Sequence, residues 1–266
     1  MKLVLFCGGL GLRMAPLSES IPKPMIPIGD RPILWHIMNY YSRFGVTDFV
    51  LCLGYKADSI KQYFLSYNEA LSNDFVLSEG GKRIELLQRD IHNWSITFVN
   101  TGLNATIGER LRRVRPHLEG EEIFLASYGD GLTDAPLPDM IDTLERTGKT
   151  ALFLASHPTY NFHIVTFDGS NSVDTIRDVT ESDLWINAGY FVLRREIFDY
   201  MEEGDELVEE PFRRLIAEGR LGAYPYDGFW APMDTLKDKT VLESLLESGQ
   251  APWQAPRGQL HAPPDA

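Results

Sequence analysis

Residues 2–14 read KLVLFCGGLGLRM, an apolar run that ends in a glycine-rich turn carrying an arginine. An unbroken apolar run of this length is typical of a strand that is buried on both faces of a parallel sheet. We therefore predict a first strand over residues 2–7 and a ligand-binding turn at its carboxyl end. The run is too short for a signal peptide and has no small-residue cleavage site.

Strand and helix patterns alternate over the residues that follow. The predicted strands are 2–7, 48–53, 94–100, 122–127 and 150–156, and the predicted helices between them are 33–44, 59–67, 108–117 and 138–146. This alternation predicts an α/β fold with a mostly parallel sheet that helices cover on both faces.

The pattern changes after Pro158. The segments 163–167, 172–177 and 185–193 have β character, which predicts a small β-rich portion, and helical patterns return at 209–218 and 235–246. We interpret residues 1–250 as one domain with two parts, about 1–157 and 158–250. Residues 251–266 contain four prolines and few core-forming side chains, so we predict a flexible tail.

Composition limits the classes of partner. The chain has 266 residues, 44% of them hydrophobic, and a formal net charge of −13. This charge opposes binding to nucleic acid or to a membrane surface, so an anionic ligand needs a local cluster of positive charge. Cys7 and Cys52 lie in apolar runs, which predicts buried free thiols and suits a reducing cytoplasm.

The turn after the first strand carries the strongest chemical signal. Backbone N–H groups of Gly8, Gly9 and Gly11 could donate to phosphate oxygens, and the planar guanidinium of Arg13 could bind two of them. Ten residues later Lys23 lies between two prolines, which favour an extended segment. The spacing matches neither a Walker A loop nor a dinucleotide fingerprint. The alternative is a tight turn with a surface arginine.

Two aspartates are candidate metal ligands. Asp130 follows a predicted buried strand in the sequence Tyr-Gly-Asp-Gly, so it should lie at the carboxyl edge of the sheet. A carboxylate there suits Mg²⁺, although this composition is also that of an ordinary turn. Asp234 by itself is typical of a helix N-cap.

Six further motifs share a family likeness with the glycine-rich turn. In chain order, over about residues 1–254, they resemble the glucose-1-phosphate cytidylyltransferase family of sugar nucleotidyltransferases: PKPM at 22–25, PILWHIM at 32–38, GYK at 54–56, YGDG at 128–131, INAGYFVL at 186–193 and FWAPMDT at 229–235.

The resemblance implies a Rossmann-like nucleotidyltransferase fold, with a mostly parallel mixed sheet and a small β-rich acceptor-binding portion, that transfers CMP from CTP to a phosphorylated acceptor. It implies Mg²⁺ at Asp130 and Asp234, and catalytic roles for Arg13 and Lys23. The implied nucleotide-binding residues are Gly8, Gly9, Leu10, Gly11, Leu12, Asn104, Thr106, Arg110 and Gly129. The candidate acceptor-binding residues are Tyr128, His163, Arg177, Asn187 and Gly189.

Departures from the family pattern leave the acceptor open. Leu12 replaces the usual Thr or Ser, His163 replaces a glycine, and the family's Glu-Lys-Pro element is absent, with Arg177 as the candidate substitute for its lysine. His163 could equally be a surface residue. The acceptor is a sugar 1-phosphate such as glucose 1-phosphate, or another small phosphate or phosphonate.

Two alternative functions and one expectation about the oligomeric state remain. A uridylyl- or thymidylyltransferase on the same fold is the first alternative, and a non-catalytic nucleotide-binding relative is the second. The resemblance also implies a homo-oligomer, for which residues 63–93, a long and partly hydrophobic segment between strands, are the candidate contact region.

Overall fold

The computed structural model describes residues 1–9, 21–159 and 162–254. For Glu181 it describes the backbone but not the side chain. The strands are β1 (Lys2–Phe6), β2 (Pro27–Ile28), β3 (Arg31–Pro32), β4 (Asp48–Leu53), β5 (Phe75–Ser78), β6 (Arg83–Leu86), β7 (Ser95–Asn100), β8 (Ile123–Tyr128), β9 (Gly131–Thr133), β10 (Ala151–Ser156), β11 (His163–Phe167), β12 (Val173–Asp178), β13 (Ile186–Arg194), β14 (Leu221–Pro225) and β15 (Trp230–Pro232).

Seven α-helices connect these strands within the described residues. They are α1 (Ile33–Arg43), α2 (Ala57–Leu65), α3 (Glu69–Ser72), α4 (Ile107–Val114), α5 (Leu137–Thr147), α6 (Glu210–Ala217) and α7 (Leu236–Glu247). Within the same residues, no helix is both long enough and apolar enough to cross a membrane.

One seven-stranded sheet organises the fold, in the order β14-β10-β13-β8-β1-β4-β7. β13 runs antiparallel to its neighbours β8 and β10, and the other neighbouring pairs are parallel. The carboxyl ends of β1, β4, β8, β10 and β14 therefore lie along one edge, where ligands bind in open α/β sheets. This is the predicted α/β fold with a mostly parallel mixed sheet.

The core has two layers because successive side chains of a strand point to opposite faces of the sheet. Leu3 and Leu5 of β1 pack in one layer with α1, α5 and α7, whereas Val4 and Phe6 pack in the other with α4 and α6. Both faces of the central strands are covered, which explains their unbroken apolar runs.

The five strands predicted before Pro158 are confirmed as β1, β4, β7, β8 and β10, with ends that agree to within one residue. The predicted place of segment 185–193 is wrong. This segment forms β13, which lies inside the seven-stranded sheet rather than in a separate β-rich portion. Its residues 188–193 are buried, as a central strand requires. The β-rich portion reduces to the exposed hairpin of β11 and β12.

The predicted start of the tail is also wrong. Residues 252–254 form a turn of 3₁₀-helix, and Trp253 is 2% exposed within the core. Its indole lies 5.6 Å from the ring of Phe229, and Arg43 donates to its carbonyl oxygen. Packing of this one large side chain holds residues 252–254 against the core. Residues 255–266 lie outside the described residues.

His36 on α1 is buried against this C-terminal turn. Its Nε2 lies 3.0 Å from the carbonyl oxygen of Ile28, and its Nδ1 accepts from Trp253 Nε1 at 3.3 Å. Both contacts need a neutral ring with its hydrogen on Nε2. Burial lowers the pKa of His36 to about 4, against the weaker opposing effect of the Ile28 hydrogen bond.

Neutral His36 should make the stability of the protein depend on pH. Because its pKa in the folded chain lies below the ordinary value, its contribution is complete above about pH 6.5 and is lost as the pH falls towards 4. We expect the free energy of unfolding in urea to fall by roughly 3 kcal/mol over this range from this residue. In His36→Gln, whose amide does not titrate, that component should be missing. Identical pH profiles for the two proteins would contradict this account.

Candidate active site

Glycine turns bring three strand ends close together. Phe6 pairs with both Cys52 and Tyr128, so β1, β4 and β8 end at the same level of the sheet. A Cβ atom on Gly54 would lie 2.7 Å from the carbonyl oxygen of Gly8, and one on Gly129 would lie 3.2 Å from that of Phe6. A side chain at position 54 would therefore force the turns apart. The glycines at these positions thus allow the three turns to lie in close backbone contact.

Lys23 lies at the centre of the site. It begins a single 3₁₀ turn, Lys23–Met25, directly after Pro22, and the residue is 9% exposed. Its Nζ donates to Asp130 Oδ2 at 2.7 Å and to Asp234 Oδ1 at 2.6 Å. Three of the four side chains that the sequence named for catalysis and metal binding therefore meet at one point, and the fourth, Arg13, is outside the described residues.

Asp130 and Asp234 are held together by a short antiparallel ladder. β9 begins directly after Asp130, β15 ends shortly before Asp234, and Pro232 pairs with Gly131. The N–H of Met233 donates to the carbonyl oxygen of Asp130 at 2.8 Å. Backbone pairing thus fixes the separation of the two carboxylates.

The helix-cap interpretation of Asp234 is wrong. Thr235 is the N-cap of α7, and it forms a capping box with Asp238. Asp238 also accepts from the N–H of Asp234 at 3.0 Å. The cap of α7 therefore leaves the Asp234 carboxylate available to Lys23.

The charges of the site keep Lys23 protonated. Burial by itself would lower the pKa of the Lys23 ammonium, but the neighbouring Asp130 and Asp234 carboxylates outweigh it, and the pKa lies above its ordinary value. A buried ammonium at this position supplies a fixed positive charge at neutral pH. Such a charge can stabilise a negatively charged phosphate in the same place.

The two aspartates fit a magnesium ion by their donor chemistry. Mg²⁺ in proteins usually takes one or two carboxylates and completes its shell with water and substrate phosphates. Asp130 and Asp234 present one oxygen each to the same point. Over residues 1–9, 21–159 and 162–254, no group of three or more His, Cys, Asp or Glu side chains is arranged to hold a metal. Among the described residues, Asp130 and Asp234 are therefore the carboxylates that would hold the ion.

Arg110, predicted to contact the nucleotide, is 3% exposed and lies behind the glycine turn. Its guanidinium donates to five acceptors in three adjoining segments: the carbonyl oxygens of Gly8, Leu53, Gly102 and Leu103, and Oγ1 of Thr101. A Cβ atom on Gly8 would lie 2.0 Å from its Nη1. The structure thus gives Arg110 a positioning role, and direct contact with a nucleotide stays a prediction.

The other predicted nucleotide-binding residues lie nearby or outside the described residues. Thr106 is the N-cap of α4 and donates to the carbonyl oxygen of Asp205 at 2.7 Å, whereas Asn104 is exposed. Gly9 is exposed beside Gly8. The predicted roles of Leu10, Gly11, Leu12 and Arg13 fall outside the described residues and stay predictions.

Three of the predicted acceptor-binding residues lie together. Gly189 has a φ of +78°, and a Cβ atom there would lie 2.3 Å from the ring of Tyr128. Asn187 accepts from the N–H of Gly189 at 2.9 Å. Tyr128 is therefore packed into the space that only glycine leaves on β13, two residues before Asp130.

The other two predicted acceptor residues are on the hairpin of β11 and β12. His163 pairs with Asp178, and Arg177 pairs with Ile164. Both are exposed and outside the seven-stranded sheet. Their roles at the acceptor stay predictions.

Sequence reasoning missed a second cluster at the same edge of the sheet. His157 directly follows β10, Trp185 directly precedes β13, and Asp227 lies two residues after β14. The centroids of the His157 and Trp185 rings are 4.1 Å apart, and His157 Nε2 lies 3.2 Å from Asp227 Oδ1. Their positions next to strand ends were a usable signal, but their neighbourhood depends on the order of the strands.

Comparison with known proteins is consistent with this geometry. A sequence profile described as "Nucleotidyl transferase" matches residues 2–237. Glucose-1-phosphate cytidylyltransferase of Salmonella typhi is 38% identical over 256 residues, which are 96% of this chain and 99% of that protein. The protein of the same name from Salmonella typhimurium has the same identity and coverage. A solved UDP-glucose pyrophosphorylase complexed with UDP-glucose superposes with a TM-score of 0.68 at 15% identity, covering 93% of this chain and 98% of that one.

Removing the Arg110 guanidinium should destabilise the fold. Arg110→Met removes the guanidinium that donates to five acceptors, three of them through buried hydrogen bonds, and we expect a loss of about 3–5 kcal/mol in the free energy of unfolding. Arg112→Met, an exposed position on the same helix, is the matched control and should change it by less than about 0.5 kcal/mol. Urea titration followed by circular dichroism measures both. Equal small losses would show that Arg110 does not join the turns.

Proposed function

The chain belongs to the nucleotidyl transferase family, and on that basis we propose that it transfers CMP from CTP to a small phosphorylated acceptor with release of pyrophosphate. The observation that carries this proposal is the contact of Lys23 Nζ with both Asp130 and Asp234 beside the glycine turn. Relatives that are 38% identical and named glucose-1-phosphate cytidylyltransferases support CTP as the donor and glucose 1-phosphate as the first acceptor to test.

The reaction needs alignment and charge neutralisation more than proton transfer. An acceptor phosphate oxygen attacks the α-phosphorus of CTP and forms the new P–O bond. The bond from that phosphorus to the oxygen bridging to the β-phosphate breaks, and pyrophosphate leaves with the bonding electrons. A phosphate monoester is already ionised at neutral pH, so no general base is required. Positioning of the two substrates and electrostatic stabilisation then supply the rate.

The residues of the site divide these tasks. We assign to the Lys23 ammonium, which contacts both aspartates, the neutralisation of the reacting phosphates, and to the turn at Gly8 and Gly9 the donation of backbone N–H groups to the triphosphate. We propose that the guanidinium of Arg13 also binds phosphate oxygens at this site. Asp130 and Asp234 would hold Mg²⁺, which supplies positive charge to the departing pyrophosphate.

Pyrophosphate release tests which nucleoside triphosphate is the donor. We expect release with CTP, Mg²⁺ and glucose 1-phosphate, and slower release when UTP, dTTP or ATP replaces CTP. Faster release with UTP or dTTP would indicate a uridylyl- or thymidylyltransferase. No release with any nucleotide across a panel of phosphorylated acceptors would indicate a non-catalytic relative.

Asp130→Asn should lower the rate of release at least about a hundredfold, because it removes a charge from the centre of the site. Glu145→Gln removes an exposed carboxylate on α5 and is the matched control, with an expected rate like that of the wild type. A folded Asp130→Asn protein that keeps the wild-type rate would rule out the assigned role.

We also propose a homo-oligomer that forms through the hairpin of β5 and β6. Its cross-strand pairs place Phe75, Leu77, Ile84 and Leu86 on one face and Val76, Ser78, Arg83 and Glu85 on the other. Leu77 and Ile84 are 57% and 54% exposed. A two-stranded hairpin is marginally stable in water, and an exposed apolar face of this kind favours association with another copy.

A charge on the apolar face should break this contact. We expect Leu77→Glu to lower the mass measured by light scattering after gel filtration, whereas Val76→Glu, on the opposite face of the hairpin and 48% exposed, should leave it unchanged. A wild-type protein that is monomeric at micromolar concentration would contradict the proposal, as would a Leu77→Glu protein with unchanged mass.

A further inference from the structure

The cluster of His157, Trp185 and Asp227 lies on the far side of the site from the glycine turn. The sheet order β14-β10-β13-β8-β1 separates the end of β10 from the end of β8 by one intervening strand. Neighbouring strands are about 4.8 Å apart, so His157 starts about 10 Å from the loop that carries Asp130. A phosphorylated monosaccharide has dimensions suited to this interval.

The imidazole of His157 is held by both of its nitrogens. Nδ1 lies 3.1 Å from the carbonyl oxygen of Leu184, and Nε2 lies 3.2 Å from Asp227 Oδ1. The imidazole in turn covers part of the Trp185 indole, with ring planes inclined at 36° and centroids 4.1 Å apart. These contacts fix the orientation of a large aromatic side chain that belongs to no core layer.

Trp185 remains 42% exposed in spite of this support. An indole fixed at the ligand-binding edge of a sheet, with much of its surface open, is a feature of ligand sites more than of ordinary surfaces. Asp227 is also open to solvent, its side chain being 84% exposed. The cluster thus presents an apolar ring surface beside a hydrogen-bond acceptor.

A path of residues along the chain leads from this cluster towards the reaction centre. Asn187 follows Trp185 by two residues, a spacing that places both on the same side of an extended chain. The Asn187 side chain contacts the N–H of Gly189 and interacts with the hydroxyl of Tyr128. Tyr128 leads directly to Gly129 and Asp130. A ligand anchored at Lys23 by its phosphate would extend along this path towards the indole.

We propose that Trp185 is the surface on which the sugar ring of the acceptor packs, and that it determines specificity for a cyclic sugar phosphate over an acyclic phosphate or phosphonate. The C–H face of a pyranose ring matches the indole, and Asp227 accepts hydrogen bonds from its hydroxyl groups. His157 is a positioning residue that holds the indole. This inference rests on the proposed transfer to a phosphorylated acceptor.

Kinetics with two kinds of acceptor test the role of Trp185. For Trp185→Ala we expect the KM for glucose 1-phosphate to rise about tenfold or more, with an unchanged KM for CTP. Glycerol 3-phosphate, which has no ring, should react equally poorly with variant and wild type. Trp185→Phe should recover part of the loss because it restores an aromatic face. Ile216→Ala, an apolar position on α6 that is 63% exposed, is the control and should leave both KM values unchanged.

Calorimetric binding of hexose 1-phosphates, without turnover, separates the two proposals. Weaker binding to Trp185→Ala than to the wild type, in a wild type that releases no pyrophosphate, would refute the transfer reaction and uphold the sugar surface. Equal binding to the wild type and to a folded Trp185→Ala protein would overturn the inference. So would a wild type that binds none of the glucose, galactose and mannose 1-phosphates, or an equal rise of KM for CTP and acceptor in Trp185→Ala.

Discussion

The contact of one ammonium with two carboxylates is the interaction on which the site depends. Lys23 is separated from Asp130 by 107 residues and from Asp234 by 211, so the contact joins three distant parts of the chain. Two carboxylates held this close repel one another, and a partly buried site weakens the screening by water. The cation between them makes the arrangement stable, and the same charges are those that a nucleotide, its metal and an acceptor phosphate would meet.

The rest of the fold places this contact at the carboxyl edge of the sheet. Parallel strands end at one edge, glycines let their turns approach, and the Arg110 guanidinium joins those turns from behind. The β9–β15 ladder fixes the two aspartates by backbone hydrogen bonds. Charged groups mounted on rigid elements keep their geometry before substrates bind, which is the condition for electrostatic catalysis. The proposed sugar surface at Trp185 uses the next strand ends along the same edge.

Burial explains which parts of the structure the sequence predicts. β1, β4 and β8 are covered on both faces, so each appears in the sequence as a continuous apolar run that predicts a buried strand. β13 has the same kind of run, but its antiparallel place between β8 and β10 depends on contacts between distant residues. β9 and β15 have three residues each and carry no periodicity, so the prediction that Asp130 and Asp234 lie together needed the family resemblance. Trp253 lies in a proline-rich stretch, which predicted a flexible tail there. Arginine is charged, so nothing in the sequence indicated that Arg110 would be buried.

The pyrophosphate release rate of Lys23→Ala, with saturating CTP, Mg²⁺ and glucose 1-phosphate, tests the central claim most directly. Circular dichroism and thermal unfolding would first establish that the variant is folded. If the ammonium both holds the aspartates and neutralises the reacting phosphates, the rate should fall by roughly a thousandfold or more. A folded Lys23→Ala protein that releases pyrophosphate at the wild-type rate would contradict the account.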